Sequence, residues 1–162
     1  MVRILERPLP EYEVPTDTHY TLEVMAFWRQ DMLDAVKAGY RRTLVVGGLH
    51  RFFRTDLRVE LPDALGRFTI ARMSGQRARI TIPQSAIALL KTPEGTLTSN
   101  FPRIAGGARF PASTYQMGFK ERLAYRLDEL TFAIQFVRLV GTPRRRWDWL
   151  IPQRFLIPQK FQ

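Results

Sequence analysis

Arg67-Phe-Thr-Ile-Ala-Arg-Met73, Ser74-Gly75-Gln76 and Arg77-Ala-Arg-Ile-Thr-Ile-Pro83 follow one another in the middle of this 162-residue chain. Two runs that alternate apolar with polar residues, joined by a short glycine-containing segment, predict a β-hairpin. The alternation sets Phe68, Ile70, Ile80 and Ile82 on one side, the side a core would take. Downstream, Ile87 to Ser99 repeats the pattern around Thr92-Pro93-Glu94-Gly95, where proline followed shortly by glycine is turn chemistry. Upstream, residues 43–61 supply two more strands, broken at Gly47-Gly48 and stopped by Pro62. A long loop is expected from Phe101 to about Thr114, with Pro102, Gly106, Gly107 and Pro111.

The flanks read differently. From Asp17, a plausible N-cap, to Ala38, apolar residues Leu22, Met25, Ala26, Met32, Leu33 and Val36 recur at spacings of three, four and seven, and Gly39 stands where a helix would stop. Phe27 and Trp28 widen the apolar face, as in a helix packed on two sides. Residues 119–140 fit two patterns: Leu123, Leu127, Leu130, Ile134 and Val137 a helical stripe, Leu130, Phe132, Ile134 and Phe136 an alternation. Composition favours a strand from Leu130 to Val140 after a second strand or short helix, with Asp128-Glu129 marking the break. Residues 1–16, holding Pro8, Pro10 and Pro15 without a period, read as an extended arm.

Beyond Gly141-Thr-Pro143, Leu150-Ile-Pro-Gln-Arg-Phe155 is followed at once by Leu156-Ile-Pro-Gln-Lys-Phe161, a hexapeptide in tandem with one Arg-to-Lys change. Pro152 and Pro158 remove backbone donors and oppose a helix or a central strand, so an extended ribbon is expected. Such a ribbon reaches roughly 70 Å if polyproline-like, more than a domain of this size needs. Trp147, Trp149, Ile151, Phe155, Ile157 and Phe161 make it too apolar for a solvated terminus, which predicts that these six residues bind a neighbouring subunit. The expected fold class is thus α+β and β-rich, an antiparallel sheet or barrel-like core with one prominent N-terminal helix and extended N- and C-terminal arms. The expected divisions are an arm over 1–16, a single globular domain over 17–141 and an arm over 142–162.

Cysteine is absent, which excludes disulfides, thiolate nucleophiles and Cys-ligated metal sites. The 25 cations, 21 of them Arg, against 15 acids give a net charge of +10. Residues 1–34 carry −4 and the remainder +14, an asymmetry suited to an acidic end that meets a basic neighbour. His19 and His50 fall in no metal-binding spacing, and Gly47-Gly48 lacks the Lys-Ser/Thr of a phosphate loop. The serines sit in no nucleophile elbow, so no catalytic residue, metal or cofactor is expected. The N-terminus lacks the apolar stretch of a secretory signal, and no run is long enough for a transmembrane helix.

Arg41-Arg42, Arg51-Phe-Phe-Arg54, Arg58, Arg77-Ala-Arg79 and Arg144-Arg-Arg-Trp147 interleave guanidinium groups with aromatic rings. Arg51, Arg54, Arg144, Arg145 and Arg146 are the candidate contacts to nucleic acid or an acidic protein surface. Taken together, these features predict a non-enzymatic structural subunit of a large assembly, in a virion or a cytoplasmic complex. Its partners would be copies of itself or other subunits, with nucleic acid as a further candidate and no membrane. Lacing arms are a habit of viral capsid and tail proteins and of ribosomal proteins. The apolar character of this arm favours a bacteriophage head or tail component over an RNA-bound, ribosome-like subunit.

Overall fold

The computed structural model describes residues 1–39, 41–48, 52–62 and 65–139. Two six-stranded sheets share one core. In chain order the strands are β1 (Thr21–Trp28), β2 (Asp31–Lys37), β3 (Thr43–Gly47), β4 (Leu57–Arg58), β5 (Phe68–Ser74), β6 (Arg77–Pro83) and β7 (Ile87–Lys91). They continue as β8 (Leu97–Thr98), β9 (Ile104–Ala105), β10 (Ala112–Met117), β11 (Arg122–Leu127) and β12 (Leu130–Val137). The first sheet runs β2-β1-β12-β11-β7-β8 and is antiparallel throughout. The second runs β4-β3-β5-β6-β10-β9, antiparallel except for the parallel pair β3–β4. The strands therefore form two sheets and no closed barrel among the described residues.

The core draws alternate residues from both sheets: Leu22, Val24 and Ala26 from β1, Leu123, Tyr125 and Leu127 from β11, and Phe132, Ile134 and Phe136 from β12. Opposite them lie Leu44, Val46, Ile70, Ile80, Ile82 and Met117 of the second sheet. The central hairpin is β5–β6, with Ser74 registered on Arg77 and Gly75 in the left-handed region at φ 59°. Its Phe68, Ile70, Ile80 and Ile82 are all buried. Residues 119–140 resolve as the β11–β12 hairpin, turning at Asp128-Glu129.

The prominent helix expected from Asp17 to Ala38 is instead the β1–β2 hairpin. Its turn, Arg29-Gln30, contains no glycine, asparagine or proline, and Arg29 adopts φ 57°. The Arg29 amide donates to the Glu129 carbonyl at 2.8 Å, and its Nε lies 3.3 Å from Glu129 Oε2. Docking onto the neighbouring hairpin turn thus supports a backbone conformation that the local sequence does not advertise.

The segment expected as an extended N-terminal arm includes one short helix, α1 (Val2–Glu6), and a 3-10 turn at Glu11–Glu13. A five-residue helix has no stability of its own. It persists because Leu5, 1% exposed, packs with Ala124 and Ala133 on the outer face of the first sheet. The loop expected from 101 to 114 likewise contains β9 and the start of β10.

Candidate interaction surfaces

Three rungs of side chains cross the outer face of the first sheet, as the strand registers require. Met25, Ala133, Ala124 and Leu89 form the middle rung, where the two alanines leave the depression that Leu5 fills. Glu23, Gln135, Arg122 and Lys91 form the next. There Gln135 Nε2 donates to Glu23 Oε1 at 3.0 Å, and Arg122 reaches the end of α1. Burial disfavours the charged form of Arg122, and the nearby Glu23 carboxylate opposes that effect. Phe27, Thr131, Arg126 and Ile87 form the third rung. The middle of this face is committed to the protein's own N-terminus, while Ile87 and Arg126 of the third rung stay exposed.

Arginines around the start of β3 are also engaged. The Asp56 side chain is fully buried and accepts hydrogen bonds from Arg41 Nη1 at 2.6 Å and from the Val45 amide at 2.8 Å. Arg54 Nε lies 3.2 Å from the same carboxylate, while its Nη2 donates to the Thr43 carbonyl and hydroxyl. Arg67 donates to the Arg54 carbonyl and stacks 4.8 Å from the centre of the Phe53 ring. Arg54, a candidate nucleic-acid contact, is therefore a structural cation that fastens the 54–56 segment to β3.

The outer face of the second sheet differs. Cross-strand registry sets Arg72 directly opposite Arg79, and Arg79 opposite Gln116. Arg77 lies two positions from Arg79 on the same face and opposite Ser74. All five residues are exposed, and none of the three arginines has a hydrogen bond, ion pair or ring contact through its side chain among the described residues. No strand of this sheet contains an acidic residue. The segments that supply it, residues 40–83 and 101–117, hold eleven arginines against Asp56, Glu60 and Asp63, a net +8. The segments that supply the first sheet, residues 1–39, 84–100 and 118–139, hold nine cations against eleven acids, a net −2. Charge is thus segregated by sheet.

A further surface lies at the edge of the first sheet. Among the described residues, β2 is the longest edge strand; the other three edges, β4, β8 and β9, have two residues each. Trp28, Met32 and Leu33 are exposed on and beside it. A register shift opposite Ala26 and Phe27 leaves Leu33 without a cross-strand partner. Asp34, also on β2, accepts a hydrogen bond from the Arg58 amide of β4 at 3.2 Å and so ties the edges of the two sheets together.

Of the residues singled out in the sequence, Arg54 is placed as above. Arg51, Arg144, Arg145 and Arg146 lie outside the described residues, as do Trp147, Trp149, Ile151, Phe155, Ile157, Phe161 and His50. Arg72 is not among the sequence candidates: alternation counted from Phe68 and Ile70 puts it on the core side, and the register shift of β5 opposite Leu44 and Val45 turns it onto the outer face, against Arg79. No family model matches this chain, and comparisons with curated proteins and with solved structures find no match. The surfaces themselves therefore carry the functional argument. Among the described residues no three potential ligands group as a metal site, and no helix is long and apolar enough to cross a membrane.

Proposed function

We propose that this chain is a non-enzymatic structural subunit of a large multi-subunit assembly, most specifically a bacteriophage head or tail component whose C-terminal segment clasps a neighbouring copy. The β2 edge carries this reading. A seven-residue edge strand with exposed Met32 and Leu33 offers backbone groups and apolar side chains for strand addition. The occupant is the 142–162 segment of a second copy, whose paired Leu-Ile-Pro-Gln-(Arg/Lys)-Phe units repeat Ile151 and Phe155 as Ile157 and Phe161 six residues on. Its five cations against Asp148 complement the net −2 of the segments that build the receiving sheet.

The test measures mass in solution for the full chain, for Leu33→Lys and for Phe155→Glu combined with Phe161→Glu. The full chain is expected to form oligomers and both variants to dissociate with unchanged circular dichroism. A monomeric full chain, or variants that assemble as it does, would overturn the proposal.

A further inference from the structure

The geometry points to a second, independent interaction: the outer face of the second sheet binds the phosphate backbone of double-stranded nucleic acid. Placing Arg72 opposite Arg79 with no acid on the same strands costs stability through like-charge repulsion. A bound polyanion removes that cost. The guanidinium fork matches phosphate oxygens in a bidentate manner, and Ser74, Gln116 and Thr114 supply neutral hydrogen-bonding groups on the same face. Arg77, two residues from Arg79, extends the row by about 7 Å along the strand. Flexible arginine side chains on a row of that length can reach successive phosphates.

The face also argues about which nucleic acid it suits. Single-strand platforms stack bases on exposed aromatic rings. The outward positions of β5, β6 and β10 are Arg, Ser, Thr, Gln, Ala and Pro, none of them aromatic, whereas Phe68 and Tyr115 point into the core. Backbone contact without base stacking fits a duplex and predicts little sequence preference. The net −2 of the other sheet's segments makes that side a poor competitor for the same ligand. An acidic protein is the rival occupant.

Fluorescence anisotropy with a labelled duplex of about 20 base pairs, titrated with the full chain over a range of salt, tests this directly. Three variants accompany it: Arg72→Ser, Arg77→Ser and Arg79→Ser combined; the same three positions changed to Lys; and Arg3→Ser with Arg7→Ser on the opposite side. The Ser variant should lose about tenfold in affinity at low salt and flatten the log–log salt slope by about 2. The Lys variant should keep the slope, and the Arg3/Arg7 variant should match the parent. A single strand of equal length should bind more weakly. No binding at low salt, an unchanged slope in the Ser variant, tighter single-strand binding, or equal competition by polyglutamate would each overturn the inference. Oligomer mass, measured in parallel, separates failure here from failure of the assembly proposal.

Discussion

Arg122 of β11 and Leu5 of α1, 117 positions apart, are joined by a hydrogen bond of 2.9 Å from Nη1 to the Leu5 carbonyl. The same guanidinium donates to the carbonyls of Ile4 at 2.9 Å and Arg7 at 2.6 Å. One side chain thus satisfies carbonyls at the C-terminal end of a helix that cannot satisfy them internally, and its positive charge suits the negative end of the helix dipole. Arg138 repeats the device further along, donating from its amide to Glu13 and from Nε to Val14. Two arginines from the first sheet sew the N-terminal segment onto it.

Arg122→Met should therefore lower unfolding free energy by about 2 kcal/mol, the scale of hydrogen bonds to a charged group. Amide exchange should accelerate first at residues 2–7. Arg122→Lys should recover only part of this, because one ammonium cannot span three carbonyls as the fork does. Urea denaturation and hydrogen exchange check both outcomes. Equal protection of α1 in all three proteins would show that Leu5 packing alone holds it.

Arg29→Gly separates the helical and hairpin readings of residues 17–38. In a helix interior, glycine would cost about 1 kcal/mol. In the observed turn it relieves a left-handed arginine while keeping the amide bond to Glu129. Only a largely exposed ion pair is lost, worth a few tenths of a kcal/mol. The expected net result is a gain of about 0.5 kcal/mol, read from the urea midpoint.

The same segment shows where sequence periodicity fails. Along β1 the inward residues Leu22, Val24 and Ala26 alternate with Glu23, Met25 and Phe27, but Met25 and Phe27 are themselves covered, beneath α1. With both faces apolar, the two-residue period disappears and helical spacing emerges by coincidence. Gly39 does mark a chain reversal, with φ 61° and its amide on Thr21 Oγ1, but after a strand and not a helix. By contrast, β5–β6 and β7–β8 carry their own turn glycines and are legible locally. The candidate surfaces were legible in proportion. Arg77 and Arg79 stand out as a charged pair, whereas Arg72 needs the register. The β2 edge is hidden because a helical stripe absorbs Met32 and Leu33.

Gly47→Ala should destabilise the β3–β4 junction by about 2 kcal/mol or more. Gly47 has φ 146°, and a Cβ there would stand 2.8 Å from the backbone Cα of Arg67. Backbone cannot rotate away as a side-chain tip can. Gly66→Ala is the informative companion: its φ is also positive, at 64°, but apart from its chain neighbours no atom of the described residues lies within 4 Å of the added methyl. Thermal unfolding should rank Gly47→Ala as the more damaging; equal losses would indicate that backbone strain alone is felt.

Two tyrosines, Tyr125 fully buried and Tyr115 half-buried, are expected to set the alkaline limit of the fold. The Tyr125 hydroxyl lies fully buried with no hydrogen-bond partner among the described residues, and burial pushes its pKa well above the ordinary value. Tyr115 is raised by burial, then by its 2.7 Å hydrogen bond to Glu121 Oε2 and by that carboxylate's charge. In both cases the folded state holds its proton more tightly than the unfolded chain, which releases it near pH 10. Their contribution is complete below that pH and is lost as pH climbs towards the raised folded values. Stability should therefore be flat to about pH 10 and fall steeply above it. Tyr125→Phe removes an unpartnered hydroxyl, so it should stabilise the protein by about 1 kcal/mol at neutral pH and also soften the alkaline decline. Tyr115→Phe should soften that decline as well, but at neutral pH it should cost about 1 kcal/mol because Glu121 loses a donor. Urea denaturation from pH 7 to 11 distinguishes the two, and a neutral-pH loss in Tyr125→Phe would mean that the hydroxyl has a partner.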